Sequence, residues 1–87
     1  KEFGLLPSYP NPFNPSTQIT FNLEQAGRVQ LGVYDLLGRE IRVLIQEALQ
    51  AGVHDYRFDA SSLSSGTYIV RLMHEGKVST QKITLIK

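Results

Sequence analysis

Few side chains in this sequence could do chemistry near neutral pH. His54 and His74 are the two histidines, and with no cysteine present they are the first candidates for a ligand or a general base. They form no His-x-x-x-His pair, and no carboxylate cluster with ligand spacing accompanies them. His54 shares parity with Tyr56 and Phe58, which places it at the margin of a core; His74 stands just before a turn. Asp55 and Asp59 fall on one strand face and raise the question of calcium. The flanking residues lack the dense Asp/Asn/Gly spacing of an oxygen cage, so solvation and turn capping are the expected roles. Ser61, Ser62, Ser64 and Ser65 include no Gly-x-Ser-x-Gly elbow, and no glycine-rich phosphate cradle follows a strand. For a sugar platform there is no tryptophan, and Tyr34 is the best outward aromatic, with Tyr9 and Phe13 behind it. Tyr34 has Gly32 beside it on its own face, so its ring is expected to cover a gap in a sheet. The chain is expected to be no enzyme and to take no metal and no cofactor.

The elements that must position these residues belong to one small domain. The chain has 87 residues, enough for a single modest core. Hydrophobic residues make up 41% and charged residues 20%, the balance of a globular protein and not of a disordered tail. Nine basic against eight acidic residues give a formal net charge of +1, which offers no bulk field for nucleic acid or an anionic membrane. No apolar run approaches the roughly 18 residues of a membrane span. Without cysteine there is no disulfide framework and no thiolate site. The chain opens Lys1-Glu2-Phe3-Gly4-Leu5-Leu6-Pro7, with no initiating methionine and no apolar signal segment, as expected of a piece cut from a longer protein.

All four prolines, Pro7, Pro10, Pro12 and Pro15, fall in residues 5–17 and forbid both a helix and a central strand there. Tyr9 and Phe13 among them predict an extended lead-in that lies on the domain. Beyond Ser16 the apolar period becomes two. Ile19, Phe21 and Leu23 predict one strand; Val29, Leu31 and Val33 a second; Ile41, Val43 and Ile45 a third, opposed by Glu40, Arg42 and Leu44. Asp35-Leu36-Leu37-Gly38 reads as a hairpin turn. Residues 46–51 are the one place for a short helix, ended by Gly52. Tyr56 and Phe58 face inward in the next strand, and residues 59–63 suit a single helical turn capped by Asp59. Tyr68, Val70 and Leu72 then alternate, and Glu75-Gly76 closes another hairpin. The last strand covers residues 78–86; its apolar parity differs between Val78 and the pair Ile83 and Leu85, which predicts a bulge at residues 80–82. The fold class expected is all-β, an immunoglobulin-like antiparallel β-sandwich of about seven strands. A small open barrel is the alternative.

Five stretches of this pattern are specific in combination. Tyr9-Pro10-Asn11-Pro12-Phe13-Asn14-Pro15-Ser16-Thr17 is followed by Val33-Tyr34-Asp35-Leu36-Leu37-Gly38-Arg39-Glu40-Ile41, then by Ala51-Gly52-Val53-His54 and Ser65-Gly66-Thr67-Tyr68. Lys82-Ile83-Thr84-Leu85-Ile86-Lys87 ends the chain on lysine. In this order they resemble the C-terminal sorting domains of proteins exported by the type IX (Por) secretion system, with Phe58 where many relatives carry tryptophan. The middle motifs are also similar to the immunoglobulin-like part of flagellar hook-cap proteins.

The resemblance implies a linker and lead-in over residues 1–8 and a sorting domain over residues 9–87, forming the tail of a larger secreted protein. It implies as partners the outer-membrane translocon and its shuttle protein, a sortase-like peptidase, and a covalently linked passenger upstream. The passenger would pass through the periplasm and end secreted or at the cell surface. The peptidase commonly removes such a domain by cutting upstream of the fold, which puts residues 1–6 at or near the linker, and can join the passenger to surface lipopolysaccharide. Carried over residue by residue, the recognition motif is Pro10, Asn11, Pro12, Gly66, Tyr68, Lys82 and Lys87. Tyr68 is further expected to resemble a tyrosine corner, its ring inward and its hydroxyl on a backbone carbonyl between residues 59 and 63. Gly66 would supply backbone freedom at the bend. The alternative function is an extracellular carbohydrate-binding or adhesion module of the same fold.

Overall fold

The structure, a computed structural model, describes residues 2–87; Lys1, the first residue of the expected linker, lies outside them. Seven strands follow in chain order: β1 Gly4–Leu5, β2 Ser16–Leu23, β3 Gly27–Tyr34, β4 Glu40–Leu49, β5 Gly52–Asp59, β6 Gly66–His74 and β7 Lys77–Leu85. One sheet has the order β1-β2-β5 and the other β4-β3-β6-β7, and every pairing is antiparallel. The two inner faces meet in one core, giving the expected all-β sandwich. Among the described residues no helix is long and apolar enough to cross a membrane.

The period-two pattern explains the core directly. Ile19, Phe21 and Leu23 of β2 are buried against Val29, Leu31 and Val33 of β3, with Val70 and Leu72 of β6 and Phe58 of β5 completing the layer. Each such side chain contributes about 1.5–3 kcal/mol by leaving water. The β6–β7 hairpin closes with Glu75 and Gly76 both at positive φ, 51° and 78°, the handedness that lets a two-residue loop match the twist of its strands.

Several local expectations are corrected. Residues 46–51 form no helix: β4 continues to Leu49, with Gln46 opposite Gln30 and Ala48 opposite Arg28. A single short turn of helix closes few hydrogen bonds for the dihedrals it fixes, whereas the antiparallel ladder to β3 bonds alternate residues along the strand. The strict alternation expected for Ile41, Val43 and Ile45 also fails. The β3–β4 register shifts between Leu31 and Gly32 and again between Val33 and Tyr34, so β4 changes face. Leu44, Ile45 and Leu49 pack on the core, while Ile41 and Val43 are left exposed. Residues 60–63 form a β-turn in place of the helical turn, with the Leu63 amide donating to the Ala60 carbonyl at 2.9 Å. Asp59 still caps it, its Oδ1 accepting from the Ser61 amide at 2.9 Å.

The bulge predicted in β7 is absent. Every residue from Lys77 to Leu85 pairs in step with β6. Ser79 and Gln81 simply occupy inward positions ahead of Ile83 and Leu85, and they are polar because the lead-in bonds to them. The Leu5 amide donates to Ser79 Oγ at 3.1 Å, and the Ser8 amide to Gln81 Oε1 at 3.0 Å, where the Ser8 hydroxyl also donates. Gln81 Nε2 returns a bond to the Leu6 carbonyl at 2.6 Å.

Candidate functional site

The proline-rich run is fastened along the outer edge of β7. Asn11 bridges two positions of that edge: its Nδ2 donates to the Lys82 carbonyl at 3.1 Å and its Oδ1 accepts from the Thr84 amide at 3.0 Å. Two residues on, the Phe13 amide donates to the Thr84 carbonyl and the Ile86 amide donates to the Phe13 carbonyl, both at 2.9 Å. These bonds take up backbone groups that an edge strand otherwise leaves open to pairing with another chain. Phe13 is only 2% exposed and lies against Phe58, ring centres 6.2 Å apart, so its side chain anchors what its backbone caps. The prolines on either side of Asn11 have no amide to satisfy, and the Pro10 carbonyl accepts from Thr17 Oγ1 at 2.7 Å. Tyr9 lies along β2 with its backbone paired to Gln18 and is 81% exposed, an outward aromatic as the sequence allowed, whereas the buried Phe13 is not.

The other motif residues meet this edge from the β6 side. Gly66 pairs with Leu85 and Tyr68 with Ile83, while Lys82 lies opposite Ile69. Gly66 has φ +154° and nothing near the place of a Cβ, so its conformation and not its space excludes a side chain. Tyr68 packs on the core and donates its hydroxyl to the Ser64 carbonyl at 2.6 Å. The corner is therefore made, with its acceptor just beyond the expected residues 59–63, where the Asp59, Ala60 and Ser61 carbonyls already accept from Arg42, Leu63 and Lys87. Lys87 closes the group: its amide donates to Ser65 Oγ at 3.1 Å and its Nζ to the Ser61 carbonyl at 2.8 Å. Pro10, Asn11, Pro12, Gly66, Tyr68, Lys82 and Lys87 thus gather at one end of the sandwich around β7, with the Lys82 head exposed there.

A family model described as a secretion system C-terminal sorting domain matches residues 8–87. The chain belongs to this family. The sorting domain is a C-terminal signal for type IX secretion, and proteins bearing it are secreted or cell-surface proteins. No curated protein matches the chain.

Sequence reasoning missed several residues that hold the sorting domain's signature end together. Thr84 presents both backbone groups to the proline-rich run, Gln81 ties the lead-in to β7, and Arg42 spans the opposite open side. The Arg42 guanidinium donates to the Asp59 carbonyl at 3.0 Å and Ser62 Oγ at 2.7 Å while lying over the Phe58 ring. The available signal was polarity at inward parity, as at Thr17, Ser79 and Gln81, beside a segment whose carbonyls and amides needed partners.

The residues first singled out for chemistry have structural partners. His54 stacks on Phe21 and bonds the Gln50 carbonyl at 2.7 Å. His74 is 4% exposed, stacks on Phe3 and donates from Nδ1 to the Arg28 carbonyl at 3.1 Å, leaving Nε2 with no partner. Asp55 accepts from Thr20 Oγ1 at 2.8 Å. Asp59 is held below the usual carboxylate range, first by the Ser61 amide and then by its hydroxyl. Asp35 is held low first by the Arg39 amide, with the Arg39 side chain and the Leu37 amide adding to it. Among the described residues no three His, Asp or Glu side chains cluster as a metal site.

Proposed function

We propose that the domain acts as a folded address, recognised by the type IX outer-membrane translocon and its shuttle protein after passage through the periplasm. A sortase-like peptidase then cuts upstream of the fold and frees a covalently linked passenger. In this role the domain is a substrate and not a catalyst. The middle motifs further support a kinship with hook-cap immunoglobulin-like modules. The observation supporting the reading is the fastening of Asn11 and Phe13 to the outer edge of β7. It makes the two most distant signature segments one surface, so a receptor meeting β7 also meets the proline-rich run. Lys82 projects from that surface and is free to contact a receptor, since its only bond in the group is through its carbonyl.

The test is a fluorescent passenger with a signal peptide, fused ahead of residues 1–87, in a host with type IX machinery. Export of the parent fusion is expected. Charge reversal, Lys82→Glu with Lys87→Glu, is expected to abolish export while leaving thermal melting close to the parent. Periplasmic retention of a folded parent refutes the reading; full export of the reversed variant refutes the role of the lysines.

A further inference from the structure

The sandwich fills one gap in its surface and leaves another open. Gly32 has no side chain, and the Tyr34 ring covers it as expected, Cε1 standing 3.2 Å from where a Cβ would be. The Arg71 guanidinium lies over that ring, 5.6 Å from its centre. The open gap is beside β5. The sheets have three and four strands, and β1 meets β7 along one side, where the Leu5 amide bonds Ser79 Oγ. Counted from that side, β1, β2 and β5 face β7, β6 and β3, and β4 is left with no strand opposite it. Exposure follows this count. Val29, Leu31 and Val33 point inward from β3 and are fully buried. Their partners on β4 are Glu47, Ile45 and Arg42, which share the inward face. Yet Glu47 is exposed, and Ile45 and Arg42 are only half-buried. On the facing sheet Ile19 and Phe21 of β2 are buried, whereas their β5 partners Tyr56 and His54 are half-buried.

The backbone of β5 is open on the same side. Gln18 and Thr20 of β2 turn their backbone groups to the lead-in, so Thr17, Ile19 and Phe21 face β5 and bond Phe58, Tyr56 and His54. The alternate residues Val53, Asp55, Arg57 and Asp59 therefore point theirs away from β2. The Asp59 carbonyl accepts from Arg42, and among the described residues no strand pairs with the others. The remaining sheet edges are blunted. β1 is two residues long and is followed by prolines, β7 is capped by Asn11 and Phe13, and β4 carries two register shifts. β5 has eight residues in unbroken register, with no proline and no lysine.

We infer that the groove between the β5 edge and the inward face of β4 takes an extended strand of a protein partner, which pairs with β5. A peptide backbone supplies donors and acceptors at the spacing of the open groups on Val53, Asp55 and Arg57. The inward side chains of the added strand meet Ile45, Leu49 and Tyr56, which calls for apolar residues at alternate positions. Glu47 has no ion partner among the described residues and calls for a lysine or arginine among them. A second copy offers no such strand, because its own β4 overhangs its own β5. The inference rests on the export reading, within which the strand belongs to the outer-membrane machinery.

The export fusion tests it through the backbone. Arg57→Pro removes an outward N–H and leaves the ladder to β2 intact, whereas Arg57→Ala changes the same side chain and keeps the N–H. Glu47→Lys reverses the charge of the groove with every backbone group in place. Melting of each purified domain checks that it folds, and Glu47→Lys decides the matter if the proline variant does not. The expected result is a roughly tenfold or greater loss of exported fluorescence for Arg57→Pro and Glu47→Lys, and less than about a twofold change for Arg57→Ala. A photo-crosslinker at position 47 is expected to yield an adduct with a translocon protein in exporting cells. Retention of the folded parent fusion refutes the export reading and this inference with it. Export of the parent together with full export of a folded Arg57→Pro or of Glu47→Lys refutes the inference alone. A loss for Arg57→Ala as large as for the proline variant does the same. An adduct from position 47 with a second copy of the fusion, or with lipopolysaccharide, assigns the groove to that occupant and overturns it.

Discussion

Replacing Asn11 by alanine isolates the fastening of the proline-rich run to β7. The side chain makes two hydrogen bonds, one donated to the Lys82 carbonyl and one accepted from the Thr84 amide. An intramolecular hydrogen bond contributes about 0.5–1.5 kcal/mol net. Both bonds lie at the exposed surface, where water can take over the vacated groups, so each belongs in the lower half of that range. The expected loss is about 1–2 kcal/mol, or a fall in Tm of about 5–10 °C for a domain of this length. The Phe13 backbone bonds and buried ring remain, so the run is expected to loosen at Asn11 without detaching. Urea unfolding gives the stability, and native-state amide exchange at Thr84 reports the local opening, which should speed up more than the global change explains. Asn11→Asp is a useful companion. It keeps an acceptor for Thr84 but sets a carboxylate against the Lys82 carbonyl, so it should cost at least as much as loss of the donor alone. An Asn11→Ala domain as stable as the parent, with unchanged exchange at Thr84, would refute the view that this side chain holds the edge.

Gln81→Leu makes an inward position more apolar yet is expected to destabilise by about 1–3 kcal/mol in urea, because the Ser8 amide and Leu6 carbonyl lose their partner; a gain in stability would count against it. Tyr68→Phe should cost about 1 kcal/mol for the bond to Ser64, and Tyr68→Ala about 2–4 kcal/mol since the ring is only partly buried. A Tyr68→Ala domain that melts like the parent but is not exported would make Tyr68 a contact residue. Glu24 is held low first by its hydrogen bond from Lys77, and Asp35 and Asp59 by backbone amides. Depressed carboxylates stabilise above their unfolded pKa values of about 3.9–4.3 and lose that contribution as pH falls through the lower native values. Their contribution to the urea midpoint should therefore be constant from neutral pH to about 5 and decline below about 4. Asp35→Asn should shallow that decline, and an unchanged acid limb would remove Asp35 from the account.

Where one strand face is buried and the other wet, the residues alone settled the outcome. Ile19, Phe21 and Leu23, then Val29, Leu31 and Val33, repeat with period two, and only one register buries them all. The same holds for Glu75 and Gly76, whose turn depends on local backbone preference. The motif segments were legible too, because each is short and contiguous. Only the tertiary structure decided what depended on a neighbour distant in sequence. Residues 46–51 are strand because β3 lies beside them, and β4 changes face because its register to β3 slips at two places. Ser79 and Gln81 look like a break in β7 until the lead-in is laid across them. No pattern within either segment predicts that Asn11 grips Lys82 and Thr84, since the spacing along the chain carries no trace of the contact. The approach of Arg71 to Tyr34 was hidden for the same reason. Arg71, Tyr34 and Lys82 come from three strands, and cross-strand register, not sequence, makes them neighbours.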